Sequence, residues 1–302
     1  MRHSTRLKQL LAKRDAAILP GAANPLTARI IAELGFDCVY VTGAGIANMN
    51  LGVPDIGLVS LKELVDCAGA MRDVVDLPLL VDADTGFGNA INVVRTVKQL
   101  EKAGASGIQF EDQVFPKRCG HFAGKAVIEK AEMVQKIKAA VDQRIDGDVA
   151  IVARTDARAV FGLDAAIDRA QAYIEAGADA TFVEAPLDRG ELERIARELP
   201  APQIANMVFG GQTPPVRQQD LATMGFAGVL YANAALQAAV HGMREVLGEL
   251  RRSGSLDAVR DKVASFESRQ RLVGKGAYDR LERRYAGQPP GQLSATDRRQ
   301  RT

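Results

Sequence analysis

Gly104-Ala105-Ser106-Gly107-Ile108-Gln109-Phe110-Glu111-Asp112 holds a pattern that recurs along the chain: a glycine that ends a helix, a short apolar run, and polar residues that close it. Cys38-Val39-Tyr40-Val41 follows Gly35, and Ala180-Thr181-Phe182-Val183 follows Gly177, in the same way. Glycine suits the left-handed position past a helix end, and a four-residue apolar run bounded by turn signals suits a buried strand. Adding Ala17-Ile18-Leu19, Leu79-Leu80-Val81, Val149-Ala150-Ile151-Val152, Gln203-Ile204-Ala205 and Gly228-Val229-Leu230 makes eight strands. Most are separated by amphipathic helical segments such as 92–103 and 164–176. Eight alternations over this length predict an α/β fold, a closed parallel (β/α)8 barrel of the TIM type. An open doubly wound sheet would alternate too, but it usually has fewer strands and a glycine-rich phosphate turn after the first. Pro20-Gly21-Ala22-Ala23-Asn24 carries no such fingerprint.

Beyond the eighth strand, Ala234 to Leu250 and Leu256 to Tyr285 read as helices with no further strand to cover. They need another surface to pack on, such as a neighbouring subunit. Residues 286–302 contain Pro289-Pro290 and a polar, basic end without apolar periodicity, so a disordered tail is expected. The predicted organisation is a single barrel domain with a C-terminal helical extension over 1–285, followed by that tail.

The 302 residues can bury a full core, and 39 basic against 37 acidic residues leave a net charge of only +2. With no Trp, no basic block and no interleaved aromatics, the chain lacks the footprint of a nucleic-acid binder. No apolar run approaches the ~20 residues that span a bilayer, so no membrane partner is expected. Cys38, Cys67 and Cys119 are odd in number, widely spaced and without a CxxC pair. They suggest neither a disulfide framework nor a structural zinc site, and a reducing cytoplasm is the expected compartment. Arg2, Arg6 and Lys8 beside Leu7, Leu10 and Leu11 read as a short amphipathic helix rather than a secretion signal.

In a barrel of this kind the reacting groups come from the C-terminal ends of the strands. The second run closes in Tyr40, Thr42, Gly43, Ala44 and Gly45, where small residues let backbone N–H groups approach an anionic oxygen. The third closes in Asp82-Ala83-Asp84-Thr85-Gly86, the fourth in Glu111-Asp112, the fifth in Arg154-Thr155-Asp156, the sixth in Glu184 and the seventh in Asn206. Asp82 and Asp84, two apart on a strand, point to one face, and Glu111 closes a strand at the same end. Three converging carboxylates require a cation. Oxygen ligands without His or Cys select a hard metal, Mg²⁺ or Mn²⁺ before Zn²⁺. Downstream, Lys117-Arg118-Cys119-Gly120-His121 sets a thiol among cations on a glycine-hinged loop. Such surroundings favour the thiolate, so the thiol can pass a proton to a carbanion or enolate near neutral pH.

The chain resembles the isocitrate lyase and phosphoenolpyruvate mutase superfamily over nearly all of Leu19 to Tyr285. The resemblance rests on Tyr40-Val-Thr-Gly-Ala-Gly, Gly52-Val-Pro-Asp-Ile-Gly, Asp82-Ala-Asp-Thr-Gly-Phe-Gly, Glu111-Asp-Gln-Val-Phe-Pro-Lys-Arg-Cys-Gly-His, Ala153-Arg-Thr-Asp-Ala-Arg and Ala205-Asn-Met-Val, which occur in the family's order. Within it, the chain looks most similar to the 2-alkylmalate (2,3-dimethylmalate) lyases, the oxaloacetate acetylhydrolases, the carboxyvinyl-carboxyphosphonate phosphorylmutase-like proteins and methylisocitrate lyase. The resemblance implies a homotetramer, a dimer of dimers with the C-terminal helix exchanged between subunits, and a bound Mg²⁺. It implies that Asp82 holds the metal directly while Asp55, Asp84 and Glu111 ligate it or its waters. Thr42, Gly43 and Ala44 would cradle an α-keto acid carboxylate that Arg154 clamps. Cys119 would be the general acid on a loop that closes over substrate, with Gly120 and His121 on the second carboxylate and Glu184 and Asn206 completing the polar wall.

The reaction expected is retro-aldol cleavage of a 2-hydroxy dicarboxylate into an α-keto acid and a carboxylate, with Tyr40 as leading base and Glu184 second. Gln109 stands where methylisocitrate lyases carry His, Phe209 replaces an acidic residue, and Gln237 falls where an arginine would hold a third carboxylate. An unpaired buried carboxylate is expensive, so a two-carboxylate substrate of the 2-alkylmalate type fits better than a tricarboxylate. Ala232 aligns where oxaloacetate hydrolases tend to have Ser and several lyases Pro, which ranks oxaloacetate hydrolysis below lysis. Phosphorus–carbon chemistry is a further alternative. A catalytically silent barrel serving as an assembly or regulatory subunit would need none of Asp82, Asp84, Glu111, Cys119 or Arg154.

Overall fold

All eight runs form strands: β1 (Ala17–Ala22), β2 (Val39–Val41), β3 (Leu79–Asp82), β4 (Gly107–Glu111), β5 (Ala150–Thr155), β6 (Ala180–Val183), β7 (Ile204–Asn206) and β8 (Gly228–Tyr231). The computed structural model describes residues 1–118, 120 and 124–286. The strands pair in parallel in the order β6-β5-β4-β3-β2-β1-β8-β7, with β1 on β8 from Ala17↔Gly228 to Pro20↔Tyr231. The two ends of that order meet through one parallel bridge, Thr181↔Gln203. There the Thr181 N–H donates to the Pro202 carbonyl at 3.0 Å and its hydroxyl donates to Gln203 Oε1 at 2.8 Å. The sheet is therefore the (β/α)8 barrel that the alternation predicts.

Side-chain parity decides what each strand offers to either side. Leu19, Tyr40, Leu80, Val152, Phe182, Ile204 and Leu230 share one buried cluster, and Leu7, Leu10 and Leu11 of the N-terminal helix His3–Ala12 belong to the same cluster. The amphipathic N-terminal segment therefore buries its leucines with the barrel's inward residues, each worth about 1.5–3 kcal/mol of transfer free energy. The opposite parity, Val39, Val41, Leu79, Val81, Ile108, Phe110 and Ile151, packs outward against helical residues such as Val93, Val97, Leu100 and Ile137.

Local chemistry sets the helix ends. The Ala90–Lys102 helix begins two residues before the apolar periodicity because Asn89 caps it: Asn89 Oδ1 accepts from the Ile91 and Asn92 N–H groups, and Asn92 Oδ1 accepts from the Asn89 N–H. Its buried residues Val93, Thr96, Val97 and Leu100 form one helical stripe.

The chain divides into two compact units, Met1–His241 and Gly242–Thr302. The first holds the barrel. In the second, the stretch read from sequence as helical over Leu256 to Tyr285 breaks into a 3-10 turn (Asp257–Lys262) and helices Phe266–Leu272 and Lys275–Tyr285. Ser265 starts the first of these helices by accepting from the Ser268 N–H at 3.0 Å. Gly274, at φ 74° in the left-handed region, separates the two. The expected disordered tail lies outside the described residues apart from Ala286. Among the described residues no helix is long and apolar enough to cross a membrane.

Candidate active site

The inward parity that carries Tyr40 and Phe182 also carries Asp82, Gln109, Glu111 and Arg154 to the C-terminal end of the barrel, where Asp82 and Arg154 help line a small cavity. Its wall includes Tyr40, Thr42, Ala44, Asp55, Asp82, Lys117, Gly120, Arg154, Glu184 and Asn206. Most of the residues singled out from the sequence are thus brought together. Cys119 and His121 lie outside the described residues.

Asp82 ends β3, but Asp84 lies beyond the strand, so pleating does not aim it. Its backbone turns through φ 47°, a left-handed conformation that aspartate tolerates better than most residues, and its N–H donates to Asp82 Oδ1 at 3.2 Å. Gly43 packs against both: a Cβ there would lie 3.2 Å from Asp84 Oδ1 and 3.5 Å from Asp82 Oδ2. Thr42 caps the short helix Gly43–Ile46, its hydroxyl accepting from the Gly45 N–H at 3.3 Å.

Lys117 was read from sequence only as a cation flanking the thiol. Its ammonium instead reaches into the acidic wall, 2.5 Å from Asp55 Oδ1 and 2.8 Å from Asp84 Oδ1, and its side chain is buried. Burial pushes the Asp84 carboxyl up to about 6, with Lys117 opposing the rise and Asp82 and Asp55 adding to it. Burial likewise pushes Glu111 up, against the pull of Arg154 and Lys117.

Arg154 is the hub of the opposite wall. Its Nε and Nη2 donate to Asp156 Oδ2 and Oδ1 at 3.0 and 3.1 Å. Nη1 lies 3.4 Å from Glu111 Oε2, and Nη2 lies 3.5 Å from Glu184 Oε2. The guanidinium carbon sits 5.3 Å from the Phe182 ring centroid, within range of a cation–π contact. Burial works against the guanidinium's charge, but Asp156, Glu111 and Glu184 together outweigh it and hold Arg154 above its ordinary value. Asp156 is anchored in turn: its N–H donates to Asp112 Oδ1 at 2.9 Å, while Asp112 Oδ2 accepts from Thr155 and Tyr173 hydroxyls at 2.7 and 2.8 Å.

Tyr40 accepts from Gln109 Nε2 at 3.0 Å. Burial and then Asp82 push its phenol well above the ordinary range. Asn206 donates to Glu184 Oε2 at 3.4 Å, and its own Oδ1 is buried without a hydrogen-bond partner among the described residues.

Three residues that matter here escaped the sequence reading: Lys125, Asp156 as a partner of Arg154, and Phe182 beneath it. Phe182 was within reach, because it shares strand parity with Glu184. Asp156, two residues from Arg154, was read only as a strand-closing acid, and Lys125 reaches it from 31 residues away. Of the positions that argued against a tricarboxylate, Phe209 and Gln237 meet in a second, largely apolar cavity, where Gln237 Nε2 donates to the Phe209 carbonyl at 3.4 Å. That cavity and the acidic one share Val208 and Asn233 in their walls.

The wall has the chemistry of a hard-cation site. Asp55, Asp82 and Glu184 line the cavity with Lys117 and Arg154, and Asp84, Glu111 and Asp156 are ion-paired to those cations, Asp156 also to Lys125. Glu111 Oε1 is buried with no hydrogen-bond partner among the described residues. As placed, no group of three acidic, His or Cys side chains among the described residues forms a complete cage. The residues fit an ion of the Mg²⁺ kind, which binds through one or two carboxylates and keeps much of its water.

Fold and site together define a (β/α)8 barrel with a charged cavity at the C-terminal end of its strands, where enzymes of this architecture carry their chemistry. Residues 7–251 match the phosphoenolpyruvate phosphomutase family, and the chain belongs to it. It is 42% identical over 286 residues to the 2,3-dimethylmalate lyase of Eubacterium barkeri, covering 95% of this chain and 99% of that protein. It is 43% identical over 276 residues to the 2-methylisocitrate lyase of Aeropyrum pernix, covering 91% and 89%. Among solved structures, a 2,3-dimethylmalate lyase of the PEP mutase/isocitrate lyase superfamily superposes with a TM-score of 0.90 at 33% identity, covering 97% of this chain and 99% of that one. A phosphonopyruvate hydrolase complexed with oxalate and Mg²⁺ superposes with a TM-score of 0.85 at 32% identity, covering 95% and 100%.

Proposed function

We propose that this protein is a Mg²⁺-dependent carbon–carbon lyase, with Mn²⁺ able to substitute, that cleaves a 2-hydroxy dicarboxylate of the 2-alkylmalate type. The observation that carries the reading is the pairing of two adjoining spaces: an acidic cavity with Arg154 in its wall, and an apolar one where Phe209 and Gln237 stand in place of charge. Among the described residues that line the apolar space a third carboxylate would find no cation, whereas an alkyl substituent would gain from burial there. Phe209, 91% exposed, has a face free to cover such a group.

Asp82 would hold the metal, with Asp55, Asp84 and Glu111 on it or on its waters; bound there, the ion would lower the energy of an alkoxide and polarise a carbonyl. Arg154 takes one carboxylate of the substrate, and Thr42, Gly43 and Ala44 cradle the neighbouring oxygens. The 2-hydroxyl loses its proton to a base, the C2–C3 electron pair moves to the departing carbon as an enolate, and a ketone forms at C2. Cys119 returns a proton to that carbon, completing an α-keto acid and a carboxylate. Tyr40 is the leading candidate for the base and Glu184 the second. Gly120, His121 and Asn206 complete the wall around the second carboxylate. The working form is a homotetramer, a dimer of dimers with exchanged C-terminal helices, acting in the cytoplasm.

Product identification across a panel tests the reading: 2,3-dimethylmalate and other 2-alkylmalates, 2-methylisocitrate, oxaloacetate and phosphonopyruvate, each with Mg²⁺. The highest kcat/KM is expected for release of pyruvate from 2,3-dimethylmalate, or of the matching 2-oxo acid from another 2-alkylmalate. Faster turnover of 2-methylisocitrate, or oxalate release from oxaloacetate alone, would overturn the substrate assignment. Phosphate release from phosphonopyruvate alone would overturn the bond assignment.

A further inference from the structure

Past the end of β3 the chain runs through a turn in which Asp84, Gly86, Phe87 and Gly88 all take left-handed φ values, 47°, 85°, 61° and 144°. Phe87 above all carries a side chain that this region strains. Residues 82–86 are buried, so each carbonyl there needs a donor. The Ala83 carbonyl accepts from the Gly86 N–H of the turn itself at 2.9 Å, and the Asp84 carbonyl accepts from the Glu111 N–H on β4 at 2.9 Å. The next two carbonyls are held from the outer helical layer. The Gly86 carbonyl accepts from the Thr96 hydroxyl of the Ala90–Lys102 helix at 3.1 Å. The Thr85 carbonyl accepts from the ammonium of Lys136, on the Lys130–Gln143 helix, at 3.2 Å. Lys136 is only 3% exposed, and its ammonium has no other hydrogen bond or ion pair among the described residues.

From this geometry we infer that Lys136 is a positioning residue: through the Thr85 carbonyl it fixes, from behind the barrel wall, the turn that sets Asp84 beside Asp82 at the mouth. A buried ammonium without a counter-ion is costly, and burial pushes Lys136 down, with Glu132 and Asp112 opposing. Leucine or methionine would fill the space between helix and barrel without that cost. What the ammonium adds is its bond to Thr85. The Thr85 peptide follows Asp84 directly, so a rotation there would carry the Asp84 carboxylate away from Lys117, 2.8 Å from its Oδ1. Thr96 braces the next carbonyl with a neutral hydroxyl that is shared with the Asn92 carbonyl at 3.0 Å, so it is the weaker of the two anchors. Groups that orient the ligands of a metal from behind typically matter about ten- to a hundredfold in its affinity. The inference rests on the proposed reading to the extent that Asp82 and Asp84 hold a cation.

The test uses the full-length protein and Mg²⁺ alone. Affinity is measured by calorimetry, and hydrogen exchange of peptides spanning 79–92 is followed in chelator-treated protein, in wild type, K136M, K136R, T96V and L7A. Met matches the stem of Lys136 and deletes its charge, so K136M is expected to keep the wild-type urea midpoint, to bind Mg²⁺ about tenfold more weakly and to exchange faster over 79–92. K136R keeps a cationic donor and should stay within about threefold of wild type. Should K136M fail to fold, T96V replaces it, with a loss of about threefold and the same faster exchange expected. L7A opens its cavity against Gly107 at the start of β4, the opposite end of the barrel, and should bind Mg²⁺ as wild type does. Wild-type affinity and exchange in K136M would overturn the inference. So would an equal loss of affinity in L7A, because the lysine would then act through stability alone. A wild type that takes up no Mg²⁺ would remove the cation assigned above, and exchange over 79–92 in K136M would then decide the anchor alone, faster supporting it and unchanged overturning it.

Discussion

Arg154 and Asp156 meet fork to fork inside the barrel mouth, Nε on Oδ2 at 3.0 Å and Nη2 on Oδ1 at 3.1 Å, with both side chains buried. Burial opposes the charge on Asp156, but Arg154 and Lys125 together hold its carboxyl below the usual range. D156N keeps the shape and deletes the charge, leaving two buried cations short of a partner. It is expected to reduce unfolding free energy by about 3 kcal/mol, read from urea denaturation. An unchanged midpoint would mean that Glu111 and Glu184 neutralise Arg154 unaided.

Excess carboxylate at the mouth predicts that a divalent ion stabilises the fold. Mg²⁺ at a hundred times its dissociation constant adds about 2.7 kcal/mol, enough to raise Tm by roughly 5 °C for a chain of this size. Differential scanning calorimetry of chelator-treated protein, before and after Mg²⁺, measures it. D82N should abolish the shift, and an equal shift in D82N would move the ion elsewhere.

Thiol chemistry separates the cysteines. Cys38 and Cys67 are buried, and burial pushes them up to about 12 and about 11. Raising a thiol's pKa empties its thiolate, so at pH 8 the reactive fractions are about 10⁻⁴ and 10⁻³. Neither should react with a disulfide reagent on the minute scale in native protein. Wild type should show one fast thiol and C119S none, counted by absorbance at pH 8. A fast thiol surviving in C119S would reassign the reactive group.

Leu7 is fully buried, and a Cβ on Gly107 would lie 2.7 Å from its Cδ2, so the N-terminal helix sits tight on the barrel. L7A should lower unfolding free energy by about 2–5 kcal/mol and leave KM at the wild-type value. A raised KM would mean that disturbance at Leu7 reaches the mouth.

The strands were legible because their signals are local. Gly104 and Gly177 end helices, four-residue apolar runs follow, and polar closures such as Glu111 and Arg154 announce the catalytic end. Parity alone turned Tyr40, Asp82, Glu111 and Arg154 inward together. Asp84 was read as sharing a strand face with Asp82, but it lies beyond the strand, and a left-handed turn, not the pleat, sets its position. The long C-terminal helical stretch was read without its interruptions, since the charged periodicity of 256–285 runs through Gly274.

Periodicity, glycine punctuation and the chemical type of each strand-closing residue were enough to determine the barrel and the acidic character of its mouth, because those signals act over a few residues. Lys117 between Asp55 and Asp84, and Lys125 between Gly120 and Asp156, were decided only when the barrel closed. Those contacts join groups as far as 62 residues apart, and whether a lysine stands in solvent or beside a buried carboxylate depends on three-dimensional proximity that no local pattern encodes.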